Sequence, residues 1–281
     1  MSGELVVVAT PIGNLGDVST RARDALASTD VICCEDTRRT RQLLSALSIR
    51  AAGRLVAVHE HNEAQRAVEI VGWVTDGKRV CLVSDAGTPA VSDPGSRVVA
   101  AVADAGLSVT TIPGPSSAIA ALTVSGLGTD RFCVEGFLPR RGPARRAILA
   151  ALGTDPRTVV IFESPQRVAA TLRELADSLG DRRAVVAREL TKLHEEILRG
   201  TLSQLADRLI ETEVRGEIVV VVEGAEEMAE ATDETILAAL ADERAAGASV
   251  RDAATRVATS LAASHRRVYE LALMSRREAN D

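Results

Sequence analysis

Short apolar runs alternate with segments of helical periodicity from the first residues of the chain. In residues 1–113 the runs that indicate strands are Leu5–Ala9, Val31–Cys34, Leu55–Val58, Val80–Val83 and Val109–Ile112. The segments between them that indicate helices are Thr20–Ser28, Arg39–Leu47, Glu63–Thr75 and Ser96–Ala105. This alternation is typical of a mostly parallel sheet with helices on both faces. The sequence therefore predicts an N-terminal α/β domain over residues 1–113.

A second set of strand and helix patterns begins near Arg131. The predicted strands are Phe132–Glu135, Val159–Phe162, Ala184–Arg188, Glu196–Leu198 and Ile218–Val222, and the predicted helices are Ala144–Leu152, Gln166–Leu179 and Ser203–Glu211. Only a short segment separates Ala184–Arg188 from Glu196–Leu198, which favours a hairpin and therefore a mixed sheet. We expect a C-terminal α/β domain over residues 114–225.

An acidic, Ala-rich stretch, Glu223–Thr232, follows the last predicted strand and is typical of a linker. Three helical patterns come after it, at Glu234–Arg244, Val250–Ala262 and Arg266–Met274. The last two have the size and spacing of a helix-turn-helix, and a generic small helical bundle fits the pattern equally well. We expect a small helical extension over residues 232–281.

The polar stretch Ser84–Gly95 lies between a predicted strand and a predicted helix. It holds two Asp, two Ser, two Gly and two Pro residues, which make a rigid loop. Ligands of open α/β sheets bind where loops leave the carboxyl ends of the strands. We therefore expect Ser84–Gly95 to be a binding loop.

Two other strand-end loops contain Gly, Asn or Pro residues that affect the backbone conformation. The Gly- and Asn-containing stretch Thr10–Asp17 is either a structural turn or a place where a ligand approaches the backbone closely. The chain contains neither GxGxxG nor GxxxxGK[ST], so a dinucleotide or P-loop site is not supported. Pro113–Pro115 ends the fifth strand, and Ser116 is expected to cap the helix Ser117–Val124.

Charged residues cluster directly after several predicted strands. Asp36 either caps the helix after the second strand or lies with Arg38 at the rim of a ligand cleft. The clusters Glu163–Arg167 and Arg188–Glu196 follow strands of the second half. Their charges either form surface ion pairs or, where the two sheets face each other, line a common cleft.

Residues 131–146 form a locally basic segment in a chain with a net charge of −6. The segment holds one acid, Glu135, and five arginines: Arg131, Arg140, Arg141, Arg145 and Arg146. These arginines either belong to a solvated loop around a turn at Gly136–Pro139 or form a surface for phosphates, because guanidinium groups match phosphate oxygens. The second interpretation is compatible with an RNA substrate.

Cysteine and histidine usage gives no metal-ligand pattern. The four cysteines are Cys33, Cys34, Cys81 and Cys133, and His59, His61 and His194 lack further ligands at suitable spacing. Adjacent Cys33 and Cys34 should point to opposite faces of a sheet, as reduced core residues of a cytoplasmic protein. No run reaches the roughly 18 apolar residues of a membrane span, and polar residues near the start argue against a signal peptide.

Eight of these stretches, taken in order, resemble the motif set of one family. They are Thr10–Asp17, Cys34–Arg38, Ser84–Gly95, Pro113–Ser117, Gly136–Pro139, Glu163–Arg167, Arg188–Glu196 and Gly216–Glu223. The set is similar to that of the ribosomal RNA small subunit methyltransferase I family, within the tetrapyrrole methylase superfamily, and covers roughly the first 225 residues.

The resemblance implies a fold and an activity. It implies S-adenosylmethionine as methyl donor, bound between two α/β domains, and 2′-O-methylation of a cytidine ribose in the decoding region of 16S rRNA (position 1402 of the RNA). It also implies a cytoplasmic homodimer that meets its target in the assembled small ribosomal subunit.

The resemblance also implies roles for individual residues. The donor is expected against Pro11, Ile12, Asp85, Gly87, Thr88, Pro89, Ser116, Ser117 and Ala118. The RNA is expected against Arg38, Arg140, Arg141, Arg145, Arg146 and Arg188. Candidates for accepting the hydroxyl proton or steadying developing charge are Asp36, Glu163, Glu189 and Lys192.

The chain departs from the family pattern at two positions, and two other functions compete. Gln166 stands where the family often has His, so no catalytic role is assigned to it, and Ala90 stands where Gly is frequent. The competing functions are a tetrapyrrole methylase of the same fold and a non-catalytic ribosome-binding factor. The arginines of residues 131–146 and the helical extension favour RNA over a porphyrinoid substrate.

Overall fold

The computed structural model describes residues 3–50, 53–210, 213–226, 231–261 and 263–278. Its contacts divide the chain into two compact units, Met1–Ala225 and Glu226–Asp281. The first unit contains two five-stranded sheets, and the second contains helices. The division of the first unit into domains at residue 113 stays a prediction.

The first sheet is parallel throughout, as predicted. Its strands are β1 Glu4–Val8, β2 Val31–Cys34, β3 Arg54–Ala57, β4 Arg79–Leu82 and β5 Ser108–Ile112, in the order β3-β2-β4-β1-β5. The helices between these strands are α1 Thr20–Ser28, α2 Thr37–Ala46, α3 Glu63–Thr75 and α4 Ser96–Asp104. Because all five strands are parallel, their carboxyl ends lie at one edge of the sheet.

Both faces of this sheet are covered, which explains its nearly continuous apolar strands. Cys33 packs with residues of α3 and α4 on one face, and Cys34 packs with α1 and α2 on the other. The predicted opposite orientation of these two cysteines is thus confirmed. Burial raises the pKa of the Cys33 thiol to about 12, so it remains protonated in the core.

The second sheet is mixed and contains the predicted hairpin. Its strands are β6 Phe132–Phe137, β7 Thr158–Glu163, β8 Arg183–Arg188, β9 Glu196–Thr201 and β10 Ile218–Val222, in the order β6-β7-β10-β8-β9. The pair β6–β7 is parallel, and the other pairs, including the β8–β9 hairpin, are antiparallel.

Helices also cover both faces of the second sheet. They are α5 Ser117–Ser125, α6 Pro143–Leu152, α7 Val168–Leu179 and α8 Leu202–Ile210. The last three pack on one face, whereas α5 packs on the other together with Ile12. Because Ile12 follows β1, the first loop of the first sheet becomes part of the core of the second sheet. This contact brings the strand-end loops of the two sheets together.

The turn predicted at Gly136–Pro139 is wrong in its first half. Strand β6 continues through Gly136 to Phe137, with a register shift against β7 between Val134 and Gly136. Gly136 has φ +67°, which a glycine adopts at little cost. A Cβ atom here would lie 2.8 Å from the hydroxyl oxygen of Ser92, so the bulge also lets the Ser84–Gly95 loop approach β6.

The second unit contains α9 Asp233–Ala245, α10 Val250–Ser260 and α11 His265–Glu278 around a separate core. Ile236, Leu240 and Val268 are among its fully buried side chains, and the hydroxyls of Thr232 and Ser249 cap α9 and α10. Residues 227–230 of the predicted linker and Ala262 lie outside the described residues. The helix-turn-helix interpretation stays a prediction. Within the described ranges, no helix combines the length and the apolar composition that crossing a bilayer requires.

Candidate functional site

A cleft of about 450 Å³ lies where the strand-end loops of the two sheets meet. The first sheet contributes the loops after β1, β2, β4 and β5, and the second contributes the ends of β6, β7, β8 and the start of β10. The expected convergence of charged strand-end clusters is therefore found in part. Glu163 lines the cleft, whereas Glu189 and Lys192 lie beside it and contact its lining residue Glu217.

The Ser84–Gly95 loop forms one wall and is bonded to its neighbours along its first half. Thr10 and Gly87 exchange backbone hydrogen bonds of 2.9 and 3.1 Å, and the Thr10 hydroxyl donates to the Ser84 carbonyl at 3.2 Å. The Thr88 hydroxyl donates to the Pro115 carbonyl at 3.0 Å. These bonds tie together the loops that follow β1, β4 and β5.

The second half of this loop is held by Glu63, the first residue of α3. Its carboxylate is 5% exposed and accepts hydrogen bonds from the backbone N–H groups of Gly95 and Arg97, at 2.9 and 2.8 Å. Between these anchors, Ala90 and Ser92 have φ of +67° and +61°. Non-glycine residues rarely adopt this conformation, and such strain clusters at ligand sites.

Three carboxyl groups give the first-sheet side of the cleft a negative character: Glu35, Asp85 and Asp93. Asp85 is partly neutralised, because Arg39 lies 3.4 Å away and the Asp36 N–H donates to it at 3.1 Å. Burial and the nearby charge of Glu35 raise the pKa of Asp93 to about 6. Burial and the charge of Asp85 also raise the pKa of Glu35. This side of the cleft therefore favours a cation and holds a carboxyl group that titrates near neutral pH.

Glu163 lies at the end of β7, and its carboxylate has both hydrogen-bond and ion-pair partners. The residue is 3% exposed, accepts from the Thr171 hydroxyl at 2.7 Å and from the Ser164 N–H at 2.7 Å, and lies 3.2 Å from the Arg167 guanidinium. With these partners it fixes the turn from β7 to α7.

The second sheet adds an apolar surface to the cleft, beside the carboxylates of Glu163 and Glu217. This surface is formed by Phe162, Ala187, Leu190 and Val219, which pack with Ile12. At the mouth, Phe137 is 63% exposed, and its ring centroid lies 5.6 Å from that of Phe162. The cleft is thus charged on one side and suited to a flat apolar ring on the other.

The other proposed catalytic groups lie outside the cleft lining. Asp36 caps α2, since its carboxylate accepts from the Arg38 N–H, and the Arg38 guanidinium holds the pKa of Asp36 well below its usual range. The capping interpretation is confirmed, and the pair lies in a shallow depression beside Asp85. Lys192 contacts the carboxylates of Glu189 at 2.8 Å and Glu217 at 3.1 Å.

The expected donor-binding residues separate into two groups. Those that line the cleft are Ile12, Asp85, Gly87, Thr88, Ser116 and Ser117. Pro11, Pro89 and Ala118 are buried behind them. Ser116 holds the N-cap position of α5, but its side chain makes no capping hydrogen bond. Asp93, Glu35 and Arg39 also line the cleft but were not predicted as site residues, although Asp93 stands within the binding loop and Glu35 directly precedes Asp36.

The arginines of residues 131–146 do not all lie on one surface. Arg140, Arg141 and Arg146 are exposed, and the described part of the chain gives their side chains no ion pair. Arg145 is 5% exposed, and its guanidinium donates to Glu174 at 2.7 Å, to the Pro139 carbonyl and to Thr171. Arg145 therefore fixes α6 against α7 and does not face a phosphate surface. The guanidinium of Arg188 also forms an ion pair, with the Glu196 carboxylate at 3.1 Å.

Among the described residues, no group of three or more His, Cys, Asp or Glu side chains is arranged to hold a metal ion.

Comparison with known proteins finds matches over most of the chain. The family model for tetrapyrrole (corrin/porphyrin) methylases matches residues 4–206. The chain is 48% identical to a ribosomal RNA small subunit methyltransferase I of Mycobacterium tuberculosis (strain CDC 1551 / Oshkosh) over 279 residues, which cover 99% of this chain and 97% of that protein. It is 45% identical over 225 residues to the protein of the same name from Escherichia coli O157:H7, which covers 79% of this chain and 78% of that one.

Solved structures show the same fold at low identity. Diphthine synthase matches with a TM-score of 0.62 and 16% identity, over 79% of this chain and 90% of that one. Uroporphyrin-III C-methyl transferase from Thermus thermophilus, complexed with S-adenyl homocysteine, matches with a TM-score of 0.55 and 20% identity, over 78% of this chain and 96% of that one. The architecture of two sheets is therefore the tetrapyrrole methylase fold.

Proposed function

The chain belongs to the ribosomal RNA small subunit methyltransferase I family, and we propose that it transfers a methyl group from S-adenosylmethionine to the RNA of the small ribosomal subunit. The observation that carries this proposal is the cleft between the two sets of strand-end loops, which combines three carboxyl groups of the first sheet with an apolar surface of the second. A donor with a flat base at one end and a positive sulfur near the other matches both sides.

The residues of the cleft fit this donor. The apolar wall that includes Leu190 and Val219 suits the adenine ring, and Asp85 and Asp93 suit the positive charges. The first turn of α5, where Ser117 lies, offers backbone N–H groups to the donor carboxylate. Gly87 has φ +86° and lets the binding loop pack closely on the loop after β1, since a Cβ atom there would lie 3.3 Å from the Ile12 side chain.

When bound, S-adenosylmethionine supplies a methyl group on a positively charged sulfur. In the proposed reaction the ribose 2′-oxygen forms a bond to the methyl carbon, the carbon–sulfur bond breaks, and the hydroxyl proton passes to an acceptor. A hydroxyl is a weak nucleophile, so a positioned acceptor and in-line placement both contribute.

We assign the acceptor role to Asp93 ahead of the four residues named from sequence. Asp93 lines the cleft and, among the described residues, forms no ion pair. The other carboxylates already form ion pairs. Asp36 pairs with Arg38, Glu189 with Lys192, and Glu163 with Arg167. In this proposal those pairs shape the site, and Lys192 holds Glu217 at its edge.

The proposed target is the 2′-hydroxyl of a cytidine in the decoding region of 16S rRNA, presented by the assembled small subunit to a homodimer in the cytoplasm. A ribose in a packed helix is hard to align with a cleft, so the target nucleotide is expected to be unstacked. The exposed Arg38 and the three exposed arginines of residues 140–146 suit the flanking phosphates.

The test is to incubate the protein with labelled donor and small subunits that lack the modification, and then to map ribose methyl groups. We expect one new methyl group, on a cytidine ribose of the decoding region. A methyl group on a base, or on a different nucleotide, would contradict the finer assignment. Donor binding without any transfer to RNA would favour a small-molecule methylase, and the absence of donor binding in calorimetry would favour a non-catalytic factor.

Replacing Arg140, Arg141 and Arg146 together by Gln is expected to weaken subunit binding and to flatten its salt dependence. Each lost phosphate contact reduces the magnitude of the slope of log K against log salt by about 0.7 to 0.9, so the triple variant should lose about 2 to 3. The measurement is subunit affinity between low and moderate salt. Arg173→Gln is the control, since Arg173 is a surface arginine paired with Asp207, and its slope should match the wild type. An unchanged slope in the triple variant would contradict the phosphate assignment.

A further inference from the structure

Phe137 is unusually exposed for an aromatic residue at a cleft. The chain has three Phe, one Tyr and one Trp, yet one of these rings is 63% exposed at the mouth of the cleft. Exposure of so large an apolar side chain costs free energy that burial would recover. A ring placed there is therefore informative about what the cleft accepts.

The backbone holds this ring in place. Phe137 is the last residue of β6 and pairs with Phe162 of β7, so it belongs to the sheet and not to a free loop. Leu138, the next residue, is 2% exposed and packs in the core beneath α6 and α7. The bulge at Gly136 and the approach of Ser92 fix the strand from the other side. The ring is thus presented to solvent by a rigid support.

We propose that Phe137 is a positioning residue that stacks on the base of the target nucleotide while its ribose enters the cleft. This inference rests on the proposed function, because it names the group that holds that substrate. An unstacked base offers an apolar face that aromatic side chains bind, whatever its sequence identity. Arg140 and Arg141 follow three and four residues later and are exposed, which suits phosphates beside a stacked base.

A competing interpretation is that the adenine of the donor stacks on Phe137. The buried apolar residues deeper in the cleft argue against this interpretation. Leu190 is 9% exposed and Val219 is 5% exposed, so their side chains form an inner apolar surface that suits one ring. Phe137 lies on the edge strand β6, and Phe162 of β7 separates it from Val219 of β10. The inner aliphatic surface and the outer aromatic ring thus suit two different rings, one inside and one at the mouth.

The test compares Phe137→Ala, Phe137→Tyr and Phe132→Ala in the full chain. Phe132 is the matched control, because it lies at the other end of β6, is 38% exposed and does not line the cleft. For Phe137→Ala we expect the KM for unmodified small subunits to rise about 5- to 150-fold, the range of one lost base–aromatic stack. The calorimetric Kd for S-adenosylmethionine and the Tm should stay close to wild type. Phe137→Tyr should restore the KM, and Phe132→Ala should leave it unchanged.

The outcomes separate this inference from the proposed function. A wild-type protein that does not methylate subunits would overturn both. An active wild type, with a Phe137→Ala variant whose KM is unchanged, would overturn only the stacking role. A Phe137→Ala variant whose donor Kd weakens as much as its KM would overturn it too and assign the ring to the donor.

Discussion

Asp93→Asn is expected to lower kcat for methylation of small subunits by about 100- to 10,000-fold, the usual contribution of general base catalysis. The amide has nearly the shape of the carboxylate, but it cannot accept the proton. The Kd for S-adenosylmethionine measured by calorimetry should change by only a few-fold, because Asp85 and the apolar wall remain. A variant with nearly full kcat would remove Asp93 from this role.

The pH dependence gives the same assignment a second readout. The pKa of Asp93 is raised from 3.8 to about 6, first by burial and then by the charge of Glu35. The base is the carboxylate form, so activity should fall as the pH drops through about 6, and Asp93→Asn should lose that dependence. Because a raised pKa makes this carboxylate unfavourable in the folded state above pH 6, the Asn variant should be no less stable than wild type at pH 7.

Glu35→Gln is the matched control, since it removes a second carboxylate from the same cleft. We expect kcat at pH 8 to stay within a few-fold of wild type. The charge of Glu35 raises the pKa of Asp93, so its removal should move the fall in activity to lower pH. A fall that stays in place would indicate that another group titrates.

The sequence was sufficient for many of the helices and strands, because local patterns determine them. The helices Thr20–Ser28 and Glu63–Thr75 have the predicted bounds, and the strand Val31–Cys34 does as well. Each was marked by apolar periodicity and by polar residues at its ends. The binding loop was recognisable because a long polar segment at the carboxyl end of a strand has few structural purposes.

The sequence alone does not distinguish residues of the same type that lie in different surroundings. Asp85 and Asp93 stand in one loop, but only the fold shows that Arg39 and the Asp36 N–H engage Asp85. Arg145 and Arg146 are neighbours, yet one is buried and the other exposed. The sequence does contain a pattern that indicates burial of Arg145. This residue stands four residues before Leu149 and seven before Leu152, which is the spacing of the buried face of α6.

Glu63 illustrates how a residue far from the chemistry determines the site. Helix α4 begins after Gly95, which has φ +132° and no side chain to cap the helix. The carboxylate of Glu63 takes the place of that cap, because it accepts from the N–H groups of Gly95 and Arg97. A negative charge near the first turn of a helix is also favourable. The loop that carries Asp85, Thr88 and Asp93 thus ends at a bond made by another helix.

Glu63→Ala is therefore expected to destabilise the protein and to weaken donor binding together. Two buried N–H groups lose a charged acceptor, which costs about 3 kcal/mol, or roughly 6 to 12 °C in Tm for a unit of this size. The Kd for S-adenosylmethionine should rise, since the loop is no longer held at its second end. The measurements are thermal unfolding and calorimetry of the full chain.

Two variants of the same helix make this result specific. Glu69→Ala removes an α3 carboxylate that pairs with Arg66, and its Tm should move by no more than a few degrees because such a partly exposed pair contributes little. Glu63→Gln keeps one oxygen acceptor without the charge, so its Tm and donor Kd should fall between those of wild type and Glu63→Ala. Equal Tm losses in Glu63→Ala and Glu69→Ala would refute a specific anchoring role for Glu63. A destabilised Glu63→Ala variant that binds the donor normally would refute the link between this anchor and donor binding.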